Sequence, residues 1–322
     1  MHEKYTASAT GFVTSAIASS SPFFLYFAFG HVHTPQYAGA EQAGKSKRGI
    51  FGDSMAEVDA SVGAVLEAVG DSNTIALLSS DNGAPDAHQH LQPGQQLDAI
   101  TGSNSLFLGS KTQTWEGGLR EPGLVWWRGK IMPQLRQEVA STLDVFATVA
   151  DAAGVPLPTG KVIDSVSLLP LLTGKSTAPP RNESFFYAGA ALQAVRVGAY
   201  KAHLITQLPN EPHAGPEHGF LAQSHGDHPP YGAQDPWLLF NIEIDPSELY
   251  PLKVHSPDGQ LDLTTPGGAG LKACQDAVKA HLAELGKPPP GVLDDDCDPK
   301  TDDCRVCCGG PHVPYRPPWW PV

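Results

Sequence analysis

Thr74-Ile75-Ala76-Leu77-Leu78-Ser79-Ser80-Asp81-Asn82-Gly83 reads as a short apolar strand that runs directly into a polar turn. The strand lacks polar alternation, as expected when both faces are covered, and that is the pattern of a parallel sheet. Upstream, Ser54-Met55-Ala56-Glu57 reads as a capping box opening a helix. Met55, Val58, Val62, Leu66 and Val69 keep helical spacing until Gly70 ends it. Further upstream, Phe23 to Phe29 is a second unbroken apolar run, closed by Gly30, and downstream Leu124-Val125-Trp126-Trp127 is a third. Thr142 to Ala153 predicts another helix, stopped by Gly154. Strand, helix, strand is the grammar of an α/β fold, although three parallel strands are few for a doubly wound sheet.

Near Pro179 the pattern changes. Phe185-Phe186-Tyr187, Ala194 to Val197, Lys201 to Thr206 and Leu238 to Ile242 read as short strands, and Leu271, Cys274, Val278, Leu282 and Leu285 trace one helix face. The expectation is a small antiparallel sheet with a covering helix, so that residues 1–181 form one domain and residues 182–322 a second.

Composition narrows the function. The 322 residues carry 21 basic and 34 acidic side chains, a formal charge of −13, which repels a phosphate backbone and argues against nucleic-acid binding. No run approaches the roughly 20 apolar residues that span a bilayer, and no signal peptide is visible at Met1. Four of the five cysteines, Cys297, Cys304, Cys307 and Cys308, crowd the C-terminal tail, where a disulfide-stapled segment is natural.

In open α/β sheets, ligands sit beyond the carboxyl ends of the strands. Asp81 and Asn82 there offer a carboxylate and an amide oxygen suited to a hard cation, and Asp-Asn-Gly is equally ordinary turn chemistry. Lys111 lies among small and hydroxyl residues in Gly109-Ser110-Lys111-Thr112, placed to meet a tetrahedral oxyanion or simply to be solvated. His213, His218, His225 and His228 read as a polar Gly/Pro-rich loop rather than a zinc site, and Asn182-Glu183-Ser184 is the one glycosylation sequon.

Taken together, Pro22 to Tyr26, His31-Val32-His33-Thr34-Pro35, Phe51-Gly52-Asp53, Ser80 to Gly83, Gly109-Ser110-Lys111 and Trp115-Glu116-Gly117-Gly118-Leu119-Arg120-Glu121-Pro122 closely resemble the type I sulfatases in order and spacing. The likeness is greatest to the arylsulfatase A and galactosamine-sulfate sulfatase branch. It implies a partial alkaline-phosphatase-like α/β sandwich with a mainly parallel sheet, and hydrolysis of sulfate monoesters: aryl sulfates, sulfated glycolipids or sulfated amino sugars. It further implies one Ca2+ held in part by Asp81 and Asn82, sulfate contact by Lys111, and sulfate contact with proton donation by His33. His228 becomes a candidate substrate contact at the pocket mouth and Asn182 a candidate glycosylation site. His31, two residues before His33, is read as supporting or structural. A lysosomal or extracellular location and homo-oligomers are also compatible with the family.

One departure matters most. The nucleophile of these hydrolases is a formylglycine made within Cys/Ser-x-Pro-x-Arg, and the sequence contains no such motif: Cys297-Asp298-Pro299-Lys300-Thr301 lacks the arginine, and Thr177-Ala178-Pro179-Pro180-Arg181 begins with threonine. The expectation is therefore the later part of a sulfatase, inactive alone. A non-catalytic pseudo-sulfatase binding module and a phospho- or phosphonohydrolase of the alkaline phosphatase superfamily stay open as alternatives.

Overall fold

Strand β1 (Ile75–Ser79) and strand β2 (Gly123–Trp127) pair antiparallel, with Ile75 opposite Trp127 and Ser79 opposite Gly123. The computed structural model describes residues 2–85, 101–160, 162–188, 191–207 and 231–285. These two strands lie within a residue or so of their expected positions, but the expected parallel pairing is not found. A parallel pair needs a crossover of a dozen or more residues, usually helical. The described part of the β1–β2 connection holds only the four-residue helix α3 (Glu116–Leu119), and the chain turns back on itself.

Two helices precede this ribbon. Helix α1 (His2–Ala18) forms from a polar, Ser/Thr/Ala-rich segment and buries Ala9 and Val13. Helix α2 (Gly49–Val69) begins earlier than the capping box suggested. Ser54 and Glu57 therefore lie inside it and are buried: the Ser54 hydroxyl donates to the Tyr37 carbonyl at 2.7 Å, and Glu57 accepts the Gly39 N–H. The two helices meet through Thr6, whose hydroxyl donates to Ser61 Oγ at 2.8 Å.

The run Phe23 to Phe29 forms no strand among the described residues. Half-buried and exposed side chains alternate along it, with Phe24 67% and Tyr26 82% exposed. Phe23 packs edge-on to Phe12 of α1, and Phe29 stacks on His2. Apolar content placed one face against the helix; without a ladder partner among the described residues the other face stays open.

Helix α4 (Asp144–Ala153) ends on Gly154 at φ 68°, the left-handed cap that glycine adopts without penalty. Its buried Asp144 is paired with Arg181 and accepts the Ser141 and Val166 N–H groups, tying the segment after the short helix α5 (Leu169–Leu172) back to α4.

Four strands then form one antiparallel sheet in sequential order: β3 (Glu183–Ala188), β4 (Ala191–Val197), β5 (Tyr200–Gln207) and β6 (Tyr231–Asn241). Phe240 of this sheet, with Ile242 just beyond it, joins Trp115 in a buried apolar cluster. Helix α6 (Pro266–Leu285) follows. Leu271, Cys274 and Val278 on the expected face are buried, whereas Leu282 and Leu285 are about half exposed.

The chain divides into two compact units, Met1–Gln275 and Asp276–Val322, and the described part of the second is the end of α6. His213, His218, His225, His228 and the four tail cysteines lie outside the described residues. No described helix is long and apolar enough to cross a membrane.

Candidate functional site

The turn after β1 and the Lys111 loop are stitched together by the backbone. The Lys111 N–H donates to the Ala84 carbonyl at 3.1 Å, and the Gly83 N–H donates to the Gly118 carbonyl at 3.1 Å. Asn104 completes the join: its Oδ1 accepts the Ala84 N–H at 2.8 Å, while its Nδ2 donates to the carbonyls of Ala84 and Gly109. Asp81 and Asn82 are thus held within three residues of a direct bond to the Lys111 backbone. Asp81 is exposed, and Asn82 and Lys111 are half-buried.

Close approach explains the glycines. A Cβ on Gly83 would fall 1.9 Å from the Gly117 carbonyl oxygen, and one on Gly118 would fall 2.3 Å from that of Gln113. Gly109 (φ 85°) and Thr112 (φ 77°) flank Lys111 in left-handed conformations. For threonine that backbone is costly, the kind of local strain that persists where surrounding structure enforces it.

Glu121 sits beside this turn. Burial pushes its carboxyl above the usual range; a hydrogen bond with Ser80 pulls it down, and the Asp81 charge pushes it up again. Its Oε1 is buried without a hydrogen-bond partner among the described residues. A cleft of about 340 Å³ opens alongside, lined by Ser103, Asn104, Ser105, Phe107, Arg120, Glu121 and Pro122.

A cation fits the Asp81 turn in kind and not in number. Calcium takes about six to eight oxygens, and among the described residues no group of three His, Cys, Asp or Glu side chains is arranged to hold a metal. His33 is exposed, with Nδ1 2.7 Å from the Thr34 carbonyl oxygen, and no hydrogen bond or ion pair among the described residues joins it to Asp81, Asn82 or Lys111. The His31 side chain is buried instead: Nε2 lies 2.8 Å from Glu57 Oε2, and its ring stacks on His2 at 3.9 Å. Asn182 is exposed just before β3.

Past Lys111 the loop enters a buried network to which sequence reasoning gave no role. Lys201 Nζ lies 2.8 Å from Glu116 Oε1 and 3.2 Å from Glu248 Oε1. Glu248 Oε2 accepts the Glu116 N–H at 2.6 Å, and His203 Nε2 lies 2.7 Å from Glu248 Oε1. The Trp115 ring lies against His203, tilted by 34° with centroids 4.0 Å apart. Burial holds the His203 imidazole below its ordinary pKa against the Glu248 charge. Burial also pushes the Glu248 carboxyl up, but Lys201, His203 and the Glu116 N–H outweigh it and hold it below the usual range. Burial disfavours the charged imidazole, and a neutral ring that carries its proton on Nε2 faces the Glu248 carboxylate and leaves Nδ1 as the unpartnered atom. The available signal was a lysine and a histidine two apart among the apolar residues that open β5.

Residues 2–155 match the family model described as sulfatase, and residues 179–312 match the one described as the C-terminal region of aryl-sulfatase. Bos taurus arylsulfatase A is 39% identical over 265 residues, 78% of this chain and 48% of that protein. Mus musculus N-acetylgalactosamine-6-sulfatase is 35% identical over 302 residues, 85% of this chain and 55% of its own length. The chain spans about half the length of these curated relatives. The crystal structure of PsFucS1 sulfatase from Pseudoalteromonas sp. superimposes with a TM-score of 0.68 at 23% identity, covering 87% of this chain and 52% of that one, and so shares its fold.

Proposed function

Because the chain belongs to the sulfatase family, we propose that it contributes part of a site that hydrolyses sulfate monoesters, with Lys111 and the Asp81–Asn82 turn as its working elements. The observation that carries this reading is the Lys111 N–H bonded to the Ala84 carbonyl, which ties the loop bearing the lysine to the turn bearing two hard oxygen donors. A sulfate ester develops negative charge on its leaving oxygen, and an ammonium there stabilises the transition state. Lys111 binds the sulfate oxygens in this reading, and His33 contacts sulfate and donates the proton to the departing alcohol. Asp81 and Asn82 would supply two of the oxygens around a calcium ion, whose chemistry is to neutralise sulfate charge. His228 is a candidate substrate contact and Asn182 a candidate glycan acceptor.

The 322 residues contain no Cys/Ser-x-Pro-x-Arg, so the nucleophile belongs to a formylglycine-bearing segment outside this sequence, and the polypeptide alone is expected to be inactive. Aryl sulfates, sulfated glycolipids and sulfated amino sugars are the substrate classes, in a lysosomal or extracellular setting. The functional division is residues 1–181 and 182–322, supported by the start of β3 at Glu183 and by a second family match that begins close by, at residue 179.

The test is turnover of an aryl sulfate against the matching aryl phosphate by this chain supplied with a formylglycine-bearing segment. Sulfate turnover in excess supports the reading; phosphate turnover in excess replaces it with phosphohydrolase chemistry, and no turnover of either favours a non-catalytic module.

A further inference from the structure

The buried network around Glu248 takes no part in the chemistry proposed for Lys111, yet it holds the loop that carries that lysine. Four polar or charged side chains, Glu116, Lys201, His203 and Glu248, meet with almost no solvent. Apolar residues of similar size would dock a loop on a sheet at least as firmly, so buried ion pairs are poor evidence of stability alone. What they supply here is geometry. Glu116 is held at two points, its backbone N–H by Glu248 Oε2 and its carboxylate by Lys201. Glu248 is itself placed by a turn in which it adopts φ 52° and donates its N–H to the Asp245 carbonyl. The loop is also fixed where the Lys111 N–H meets the Ala84 carbonyl, and its ends are joined where the Gly117 N–H meets the Leu108 carbonyl. Lys111 is therefore one anchor of the loop, and the second anchor, five residues on at Glu116, belongs to the four-stranded sheet region.

We propose that Glu248 and Lys201 are positioning residues for Lys111, acting through Glu116. The proposal rests on the reading of Lys111 as the sulfate-binding group. It assigns the sheet after residue 182 a part in the hydrolytic site that contact with substrate does not require.

Residue-resolved amide exchange on the 322-residue chain tests it. Glu248→Ala should speed exchange at the Glu116 and Lys111 amides by about tenfold or more while the amides of α2 keep their protection, because local opening is separable from global unfolding. Glu248→Gln keeps an amide oxygen for the Glu116 N–H but turns its NH2 on the Lys201 ammonium and His203 Nε2, so protection at both positions should fall between the wild type and Glu248→Ala. An equal rise at every amide, or opening at Glu116 with Lys111 unchanged, overturns the proposal. If the alanine variant does not fold, Glu248→Asp decides. Its charge is kept on a side chain one methylene shorter, so local opening at both amides is expected, and unchanged protection overturns the proposal. Exchange reads the clamp whether or not sulfate is hydrolysed, so its failure leaves the sulfatase reading standing. Aryl sulfate turnover that is indifferent to Lys111→Ala removes the sulfatase reading without altering the exchange result.

Discussion

Glu248 and Glu116 lie 132 residues apart in the chain, and the carboxylate of one accepts the backbone N–H of the other at 2.6 Å. Two carboxylates in one buried site need a cation between them, and Lys201, itself without solvent exposure, reaches both. Lys201→Ala leaves that pair uncompensated, so unfolding stability should fall by about 3 to 5 kcal/mol. Denaturant titration checks it. A loss under about 1 kcal/mol, the scale of an exposed pair, would mean that the network is solvated in solution.

Acid should weaken this region in two stages. The His203 pKa is lowered in the fold, so below its ordinary value of 6.5 the unfolded chain binds a proton that the folded one refuses, and stability falls from there downward. Glu248 is also lowered, so its contribution is present above its ordinary 4.5 and is lost as pH falls below that. The two effects share a sign. Thermal midpoints of His203→Gln should lose the first stage and keep the second; an unchanged profile between about pH 7 and 5 contradicts the assignment of His203 as buried and neutral.

Glycine at position 83 is a packing requirement. Gly83→Ala drives a methyl into the Gly117 carbonyl, so the turn and the Lys111 loop must separate, at an expected cost of about 1 to 3 kcal/mol. Gly63→Ala in exposed α2, where a Cβ meets nothing within 4 Å, should instead stabilise by about 0.5 to 1 kcal/mol. Paired calorimetric scans compare the two; equal effects would deny that the loops touch.

The Asp81 charge raises Glu121, so Asp81→Asn should lower the Glu121 titration seen by carbon NMR while burial keeps it above the free-carboxyl range. With two oxygen donors against about six to eight, calcium should bind the 322-residue chain no better than about millimolar. Micromolar calcium binding would locate the ion elsewhere.

Much of the architecture was readable because burial patterns are local. The strand before Asp81, the helix ended by Gly154 and the strands after residue 182 all fell near their expected places. What failed depended on partners. Phe23 to Phe29 is apolar enough for a two-faced strand, but strand formation needs a neighbouring ladder that the described residues do not give it. Ser54 and Glu57 have the spacing of a cap, yet tertiary bonds to Tyr37 and Gly39 use those groups in mid-helix. A backbone bond joins the Lys111 loop to the turn after Asp81 and Asn82, whereas Lys201, His203 and Glu248 converge only through folding, and no residue spacing assigned them a common role.

Sulfate titration of the chain, followed residue by residue by NMR, tests the shared site most directly. The Lys111, Asn82 and Gly83 amides should shift together with one dissociation constant, and Lys111→Ala should abolish the shifts without unfolding the chain. Shifts that survive Lys111→Ala, or that leave Asn82 and Gly83 untouched, would contradict a single sulfate-binding site built from these two loops.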